Sequence, residues 1–162
     1  MIPYGLYVMT AKDKDGRILD ATVNWITQAS FKILLVAVGV KADSQIDNIV
    51  KTAGNFALNV LGKGQQGAAY AFLKPAERDG QKISGEQFHA GSTGVPVLEN
   101  TPAFVECRLV TTVEEGDHSI FVGEVVDAGV TQEPEGRVDE AAVLLKELGE
   151  KTFLQRLIGK IL

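Results

Sequence analysis

The chain has 162 residues, of which 45% are hydrophobic, and its formal net charge is −5 at pH 7. This length and composition predict one domain with a substantial core. The acidic balance argues against a nucleic-acid surface, which normally shows a basic stripe. No apolar run approaches the length of a membrane span and no signal peptide is visible, so we expect a cytoplasmic protein that does not bind membranes.

The first residues predict a β-hairpin. Tyr4–Ala11 is rich in β-forming residues, Asp15-Gly16 is a strong hairpin-turn dipeptide, and Ile18–Trp25 is expected to return antiparallel.

The stretch from Asp20 to Val40 predicts a polar strand that runs directly into an apolar one. Thr22, Asn24, Thr27, Gln28 and Ser30 lie in the polar part. The following run, Leu34–Val40, is typical of a strand buried on both faces. Ordered hydroxyls and amides beside a rigid core strand suit a flat, polar ligand. The alternative is a half-exposed strand whose polar residues face water.

A helix is predicted after this strand. Ser44 is the expected N-cap, Asp47 stands in the capping-box position, and Gly54 is the expected C-terminal glycine. Apolar residues at helical spacing form the inward stripe, namely Ile46, Ile49 and Val50.

The start of that helix is the best candidate for an anion site. Unpaired backbone N–H groups and the helix dipole favour a phosphate there. Lys41 precedes the helix, and Ser30 could reach it from the turn before the apolar strand. Asp43 adds an unfavourable negative charge, and an ordinary capped helix is the alternative.

The remaining chain predicts further strands and a helical end. Phe56–Leu61 is a strand, and Gln65–Leu73 is a short helix with Ala69, Phe72 and Leu73 facing inward.

Leu73–Thr101 is poor in regular structure, and it is either a loop over a site or a surface excursion. Ala103–Val113 and Ser119–Val130 predict two long antiparallel strands. Asp139–Leu162 carries two amphipathic helical stripes. About six strands with one helix after the third indicate a mainly β fold, a mostly antiparallel barrel with peripheral helices.

Few side chains are suited to catalysis. His118, at a strand junction in Gly116-Asp117-His118, and His89, in a glycine-rich loop, are the two histidines. Either could bind a ligand or transfer a proton, or be solvated or held structurally. Cys107, the single cysteine, excludes an internal disulfide and fits a core position in the apolar run Phe104–Val110. No metal-binding, nucleophile-elbow or Walker-type motif is present.

Seven segments together resemble one family. In order they are Y-G-L-Y-V-M-T-A, A-T-V-N-W-I-T-Q-A-S, L-L-V-A-V, D-S, F-A-L-N-V-L, F-V-E-C-R and G-D-H-S-I-F-V-G-E-V. From about Tyr4 to Gly129 the chain resembles the flavin reductase-like, FMN-binding split-barrel family. The resemblance implies a split-barrel homodimer with FMN near the interface. It also implies one such domain over residues 1–162, with 139–162 as a helical extension.

The resemblance also implies roles for particular residues. The strand matching Thr22–Gln28 would lie along the isoalloxazine ring, and the positions matching Ser30 and Lys41–Ser44 would hold the phosphate. His118 would bind the nicotinamide or handle a proton. The implied cofactor-binding residues are Thr22, Val23, Asn24, Trp25, Ile26, Thr27, Gln28, Ser30, Lys41 and Ser44.

Three functions remain open at this point. The first is an FMN-dependent reductase that takes hydride from NAD(P)H and passes electrons to flavin, a metal ion or a partner. The second is an electron-transfer flavoprotein with a redox protein as donor and no NAD(P)H activity. The third is a barrel-based binding module without flavin.

Overall fold

The computed structural model describes residues 5–75 and 77–132, and this part of the chain contains eleven strands and two helices. The strands are β1 Tyr7–Lys12, β2 Ile18–Val23, β3 Ile26–Ser30, β4 Leu35–Lys41, β5 Asn55–Val60, β6 Arg78–Asp79, β7 Lys82–Ile83, β8 Glu86–Ala90, β9 Pro96–Leu98, β10 Ala103–Val113 and β11 His118–Val130. The helices are α1 Gln45–Ala53 and α2 Gln66–Ala71.

Seven strands form one antiparallel sheet in the order β2-β1-β5-β10-β11-β4-β3. Its edges, β2 and β3, do not pair with each other, so the barrel is not closed. The prediction of a mainly β split barrel with peripheral helices is therefore confirmed. The predicted number of about six strands is too low for the whole domain, and α1 follows the fourth strand rather than the third.

The prediction of one continuous polar strand is wrong. The structure has two strands here, separated at Asn24 and Trp25. β2 ends before this pair and β3 begins after it, with the Ile26 N–H donating to the Asn24 carbonyl at 3.1 Å. The two halves then join opposite edges of the sheet. Each half carries polar residues because each is an edge strand with an exposed side, so composition alone does not show the break.

β4 is buried on one face only, which corrects the expectation of burial on both faces. Val36, Val38 and Val40 are buried, whereas the alternate residues are only half-buried. The sequence of this strand looks continuously apolar because its other, half-buried face carries the small residues Ala37 and Gly39. That face of β4 is the floor of the candidate site.

Helix α1 begins and ends as predicted. The Asp47 N–H donates to the Ser44 hydroxyl oxygen at 3.2 Å, and Gly54 takes the left-handed conformation with φ 74°. The three stripe residues are buried in the core that also contains Met9, Phe56 and Phe121. These local rules act within one or two turns, which is why the sequence was sufficient here.

The segment Leu73–Thr101 is more regular than predicted, because β6 to β9 form a second sheet in the order β6-β7-β8-β9. This small sheet and α2 cover a second core. Its fully buried members are Leu6, Val8, Leu61, Ala69, Phe72, Ile83 and Leu98. Ala69 and Phe72 face inward as predicted, whereas Leu73 is exposed. Strands of two to five residues are too short for a clear alternation of apolar residues.

The predicted helical extension, 139–162, lies outside the described residues. Within residues 5–75 and 77–132, neither helix has the length and apolar character needed to cross a membrane.

Candidate functional site

Two aromatic side chains meet on the exposed side of the β3-β4-β11 edge. The ring centroids of Trp25 and His118 lie 4.5 Å apart, with the ring planes inclined at 45°. Gly39 lies beneath the indole, where a Cβ would come within 3.0 Å of Trp25 Cε3. The Gly39 N–H also donates to the Trp25 carbonyl at 2.8 Å. A glycine at this point of β4 therefore lets the tryptophan lie against the sheet next to the histidine.

Strand register places a small surface of apolar and polar residues around this pair, which we call the outer face. It comprises Ala37, Gly39 and Lys41 of β4 and their register partners on the neighbouring strands, Thr27, His118, Ile120 and Val122. Trp25 is 43% exposed, and Thr27 and Lys41 are also exposed. The outer face is thus an accessible apolar floor, with the small residues Ala37 and Gly39 on β4, flanked by aromatic, hydroxyl and cationic groups.

His118 is held by its neighbour in the chain. Its Nδ1 lies 2.9 Å from Oδ1 of Asp117, whose side chain is largely exposed. The hydrogen bond to His118 is the main influence that lowers the pKa of the Asp117 carboxyl. A carboxylate on Nδ1 fixes the orientation of the ring and leaves Nε2 to act on a bound molecule.

The start of α1 lies at the same end of the sheet. Lys41 is the register partner of His118, and the Ala42 N–H donates to the Asp117 carbonyl at 3.0 Å. Ser44 is half-buried, and its oxygen caps the helix. The structure therefore places Lys41 opposite His118, and Ser44, whose N–H donates to the Lys41 carbonyl at 3.3 Å, follows three residues later.

One feature of this helix opposes anion binding. Asp47 is wholly buried in the first turn, and its Oδ2 accepts a hydrogen bond from the Asp43 N–H at 3.2 Å. This carboxylate occupies part of the positive end of the helix dipole. Its charge is balanced by Lys51, whose Nζ lies 2.8 Å from Oδ2.

The predicted cofactor residues of β2 are used by the fold. The Thr22 hydroxyl donates to the Ala69 carbonyl at 3.0 Å, and the Thr22 N–H donates to the Phe72 carbonyl at 3.3 Å. The Val23 side chain is buried in the core. Because the Thr22 N–H and hydroxyl are both used, any contact from these two residues to a ligand would come from their other backbone groups.

The predicted residues of β3 are more accessible. Thr27 and Gln28 are exposed, and the Thr27 hydroxyl donates to the Gln28 carbonyl at 3.2 Å. Ile26 packs partly against the core, and Asn24, before the strand, and Ser30, its last residue, are half-buried. Ser30 pairs with Leu35, at the end of β4 remote from Lys41, so the expectation that it reaches the start of α1 is wrong. The second histidine, His89, lies in the small sheet, with its ring edge against Phe104.

Sequence reasoning missed two residues of the site, Gly39 and Asp117. A glycine inside an apolar strand often marks a point where another group approaches the backbone closely, and this rule could have identified Gly39. Asp117 stood in the quoted G-D-H motif without a role of its own. Among the described residues, no group of three or more histidine, cysteine, aspartate or glutamate side chains is arranged to hold a metal ion.

Fold and site together define a split-barrel protein with an accessible aromatic and cationic face. The model of the flavin reductase like domain matches residues 1–145. A ferric-chelate reductase (NAD(P)H) of Archaeoglobus fulgidus is 33% identical over 138 residues, covering 83% of this chain and 80% of the relative. A flavin reductase of Pseudomonas putida is 33% identical over 131 residues, covering 81% and 75%.

A solved structure agrees with these relatives. The NADH:FAD oxidoreductase SgcE6 of Streptomyces globisporus, in complex with NAD and FAD fragments, is 27% identical with a TM-score of 0.71. The match covers 88% of this chain and 81% of that one. The chain belongs to the flavin reductase-like family and is a flavin-dependent oxidoreductase.

Proposed function

We propose that this protein is an FMN-binding reductase that takes hydride from NAD(P)H and passes electrons to free flavin, a metal ion or a partner protein. The observation that carries the proposal is the accessible Trp25–His118 pair, which lies beside Lys41 and the start of α1. An aromatic and cationic surface with a flat floor suits a flavin, which combines a planar ring system with a phosphate.

The phosphate would be held at Lys41 and Ser44. The Lys41 ammonium is exposed at the end of β4. The Ser44 oxygen accepts the capping hydrogen bond, and its O–H remains available to donate to a phosphate oxygen. Ser30 is not part of this phosphate site, because it pairs with Leu35 at the other end of β4, about 20 Å along the strand from Lys41.

The ring system would lie along the β2–β3 segment. Thr27 and Gln28 offer accessible side chains, and Asn24, Trp25 and Ile26 surround the break between the strands. Thr22 and Val23 would contribute their backbone. Ala37 and Gly39 keep the floor of the outer face low, so a planar group can approach the sheet.

When bound, the flavin supplies a ring that accepts a hydride and passes electrons on. The protein supplies orientation and proton handling. The Asp117 carboxylate fixes the His118 imidazole through Nδ1, and Nε2 then positions the nicotinamide or moves a proton near neutral pH.

We also propose that the protein is a homodimer. Several large apolar side chains on the β3–β4 turn and on β10 and β11 are exposed, including Phe31 at 84% and Val130 at 62%. The others are Ile33, Leu34, Val110, Val113, Ile120 and Val126. Apolar exposure of this extent usually marks an interface, and a second copy would cover it. The apolar residues of the extension 139–162 are proposed to contact the same partner.

The first experiment tests flavin binding and the donor. The purified protein is titrated with FMN and, separately, with FAD, and the FMN-loaded protein is mixed anaerobically with NADH or NADPH. Bleaching of the flavin absorbance supports the reductase. An oxidised flavin that does not bleach indicates a protein donor, and failure to bind either flavin rejects the proposal.

The second experiment tests the role of His118. The His118→Ala variant should still bind FMN, whereas flavin reduction should slow by roughly 10- to 1,000-fold, the range of general acid–base and positioning effects or somewhat below it. Stopped-flow rates equal to those of the unmodified protein would remove His118 from the reaction.

A further inference from the structure

Lys51 links two parts of the site that are far apart in the sequence. It lies in the last turn of α1, and its Nζ contacts Asp47 Oδ2 at 2.8 Å. The same ammonium forms a second, short ion pair with Oε1 of Glu114, in the turn between β10 and β11. One cation thus joins the helix to the turn that leads into His118.

The Asp47 contact affects the helix start. Asp47 is wholly buried, holds the Asp43 N–H, and has one oxygen, Oδ1, without a hydrogen-bond partner in the described structure. A buried carboxylate is costly unless a cation or several donors balance it. Without Lys51, its charge would act directly on an anion bound at Lys41 and Ser44.

The Glu114 contact affects the histidine. The turn 114–117 is attached to the segment after β4 by the hydrogen bond from Ala42 to the Asp117 carbonyl. Lys51 provides a second attachment, from the other end of the turn. Two attachments restrict the rotation of the turn about either one, and Asp117 passes that restriction to the His118 ring through Nδ1.

We propose that Lys51 is a positioning residue that holds His118 against Trp25 and shields the anion site from Asp47. The shielding part rests on the proposed function, because it presumes a phosphate at Lys41 and Ser44. The positioning part concerns the protein alone. Hydrogen bonds, to Asp47 first and then to Glu114, raise the pKa of the Lys51 ammonium, so it is charged at neutral pH.

The positioning part can be read from intrinsic fluorescence, because Trp25 is the single tryptophan in the chain. A protonated imidazole in contact with an indole quenches its emission. The flavin-free protein is titrated from about pH 8 to about pH 5, where histidine side chains ordinarily change charge. The His118→Gln variant identifies the part of the quenching that depends on the ring contact.

Lys51→Met and Glu114→Ala should each reduce this His118-dependent quenching by roughly half or more, since each removes one attachment of the turn. Lys51→Arg should retain it, because the guanidinium can reach both carboxylates. Lys63→Met is the matched control, an exposed lysine with no ion pair among the described residues.

The shielding part is tested by FMN titration of the same variants. Lys51→Met should weaken FMN binding by about tenfold, the effect expected when a charge-assisted contact is opposed by an unbalanced carboxylate. Glu114→Ala should leave FMN affinity unchanged, because Asp47 keeps its cation.

Each outcome decides something separate. Full quenching in Glu114→Ala, an exposed position whose variant is expected to fold, would overturn the positioning role even if Lys51→Met fails to fold. Equal FMN affinity in Lys51→Met and Lys63→Met would overturn the shielding role. If the unmodified protein binds no flavin while the quenching behaves as expected, the proposed function fails and the positioning role stands.

Discussion

Glu106 and Thr93 are joined by two hydrogen bonds beneath the surface of the molecule. The Thr93 backbone N–H and hydroxyl both donate to Oε2 of Glu106, at 2.8 and 2.6 Å, and the Ser92 N–H donates to Oε1 at 2.8 Å. Glu106 is wholly buried on β10, so the loop 91–94 is held by a carboxylate in the protein interior.

This contact predicts a large stability loss for Glu106→Ala. Three part-buried donors would lose their acceptor, and an unsatisfied donor costs about 1–3 kcal/mol where water does not replace the acceptor. We expect the free energy of unfolding, measured by urea denaturation, to fall by about 3 kcal/mol or more. Glu99→Ala, at an exposed position, is the control and should change it by less than about 0.5 kcal/mol. Equal effects of the two substitutions would contradict this account.

Asp20 predicts a pH dependence of stability. Burial raises the pKa of its carboxyl to about 7, and the neighbouring Ser84 hydroxyl opposes this shift without forming a regular hydrogen bond. An unfolded aspartate has a pKa of about 3.9, so the folded protein binds more protons between about pH 4 and pH 7. Stability should therefore fall as the pH rises through that window.

The Asp20→Asn variant should lose this component of the pH dependence. The melting temperatures of the variant and of the unmodified protein are measured from about pH 4.5 to about pH 8. As the pH rises, the melting temperature of the variant should increase relative to that of the unmodified protein. Asp79→Asn, in the exposed strand β6, is the control. A difference that stays constant with pH would show that Asp20 does not titrate in the folded protein.

Cys107 should be chemically inert in the folded protein. Burial, and then the charge of Glu106, raise the pKa of its thiol to about 12. The thiolate is the reactive form, and the side chain is inaccessible. A disulfide reagent should modify no thiol in buffer and one thiol per chain in urea. Rapid modification of the native protein would place Cys107 in a dynamic or open region.

Gly39→Ala should disturb the site more than the fold. The added Cβ would lie 3.0 Å from Trp25 Cε3 and 3.3 Å from Trp25 Cβ, so the exposed indole must shift by a few tenths of an ångström. We expect a shifted tryptophan emission, weaker FMN binding and a melting temperature close to that of the unmodified protein. Gly116→Ala, where an added Cβ meets no atom within 4 Å, is the control. An unchanged emission spectrum would show that the ring tolerates the methyl group in place.

The Lys41→Ala, Ser44→Ala double variant should bind FMN at least about tenfold more weakly, because charge-assisted hydrogen bonds to phosphate are worth about 1.5–3 kcal/mol. Loss of the Ser44 cap should also cost about 1 kcal/mol of stability, which a melting curve would show. Lys63→Ala serves as the control in a fluorescence titration of FMN. Unchanged affinity in the double variant would remove the phosphate from the start of α1.

The sequence was sufficient where structure depends on neighbouring residues. Ser44, Asp47 and Gly54 define the limits of α1 because capping and left-handed glycine act within a turn of the helix. The order of the family segments, ending in G-D-H-S-I-F-V-G-E-V, carried the resemblance to the flavin reductase-like family, and that resemblance implied the split barrel. The same order correctly indicated a flavin-dependent oxidoreductase.

The tertiary structure decided everything that depends on which strands become neighbours. Asn24 and Trp25 look like the middle of one strand, yet β2 and β3 join opposite edges of the sheet, and this places Trp25 over Gly39 and against His118. The partners of Lys51 and Glu106 are likewise set by packing between distant segments. Local propensity and alternation report the exposure of a side chain but not its partner, because contact between distant residues is determined by the packing of the whole sheet.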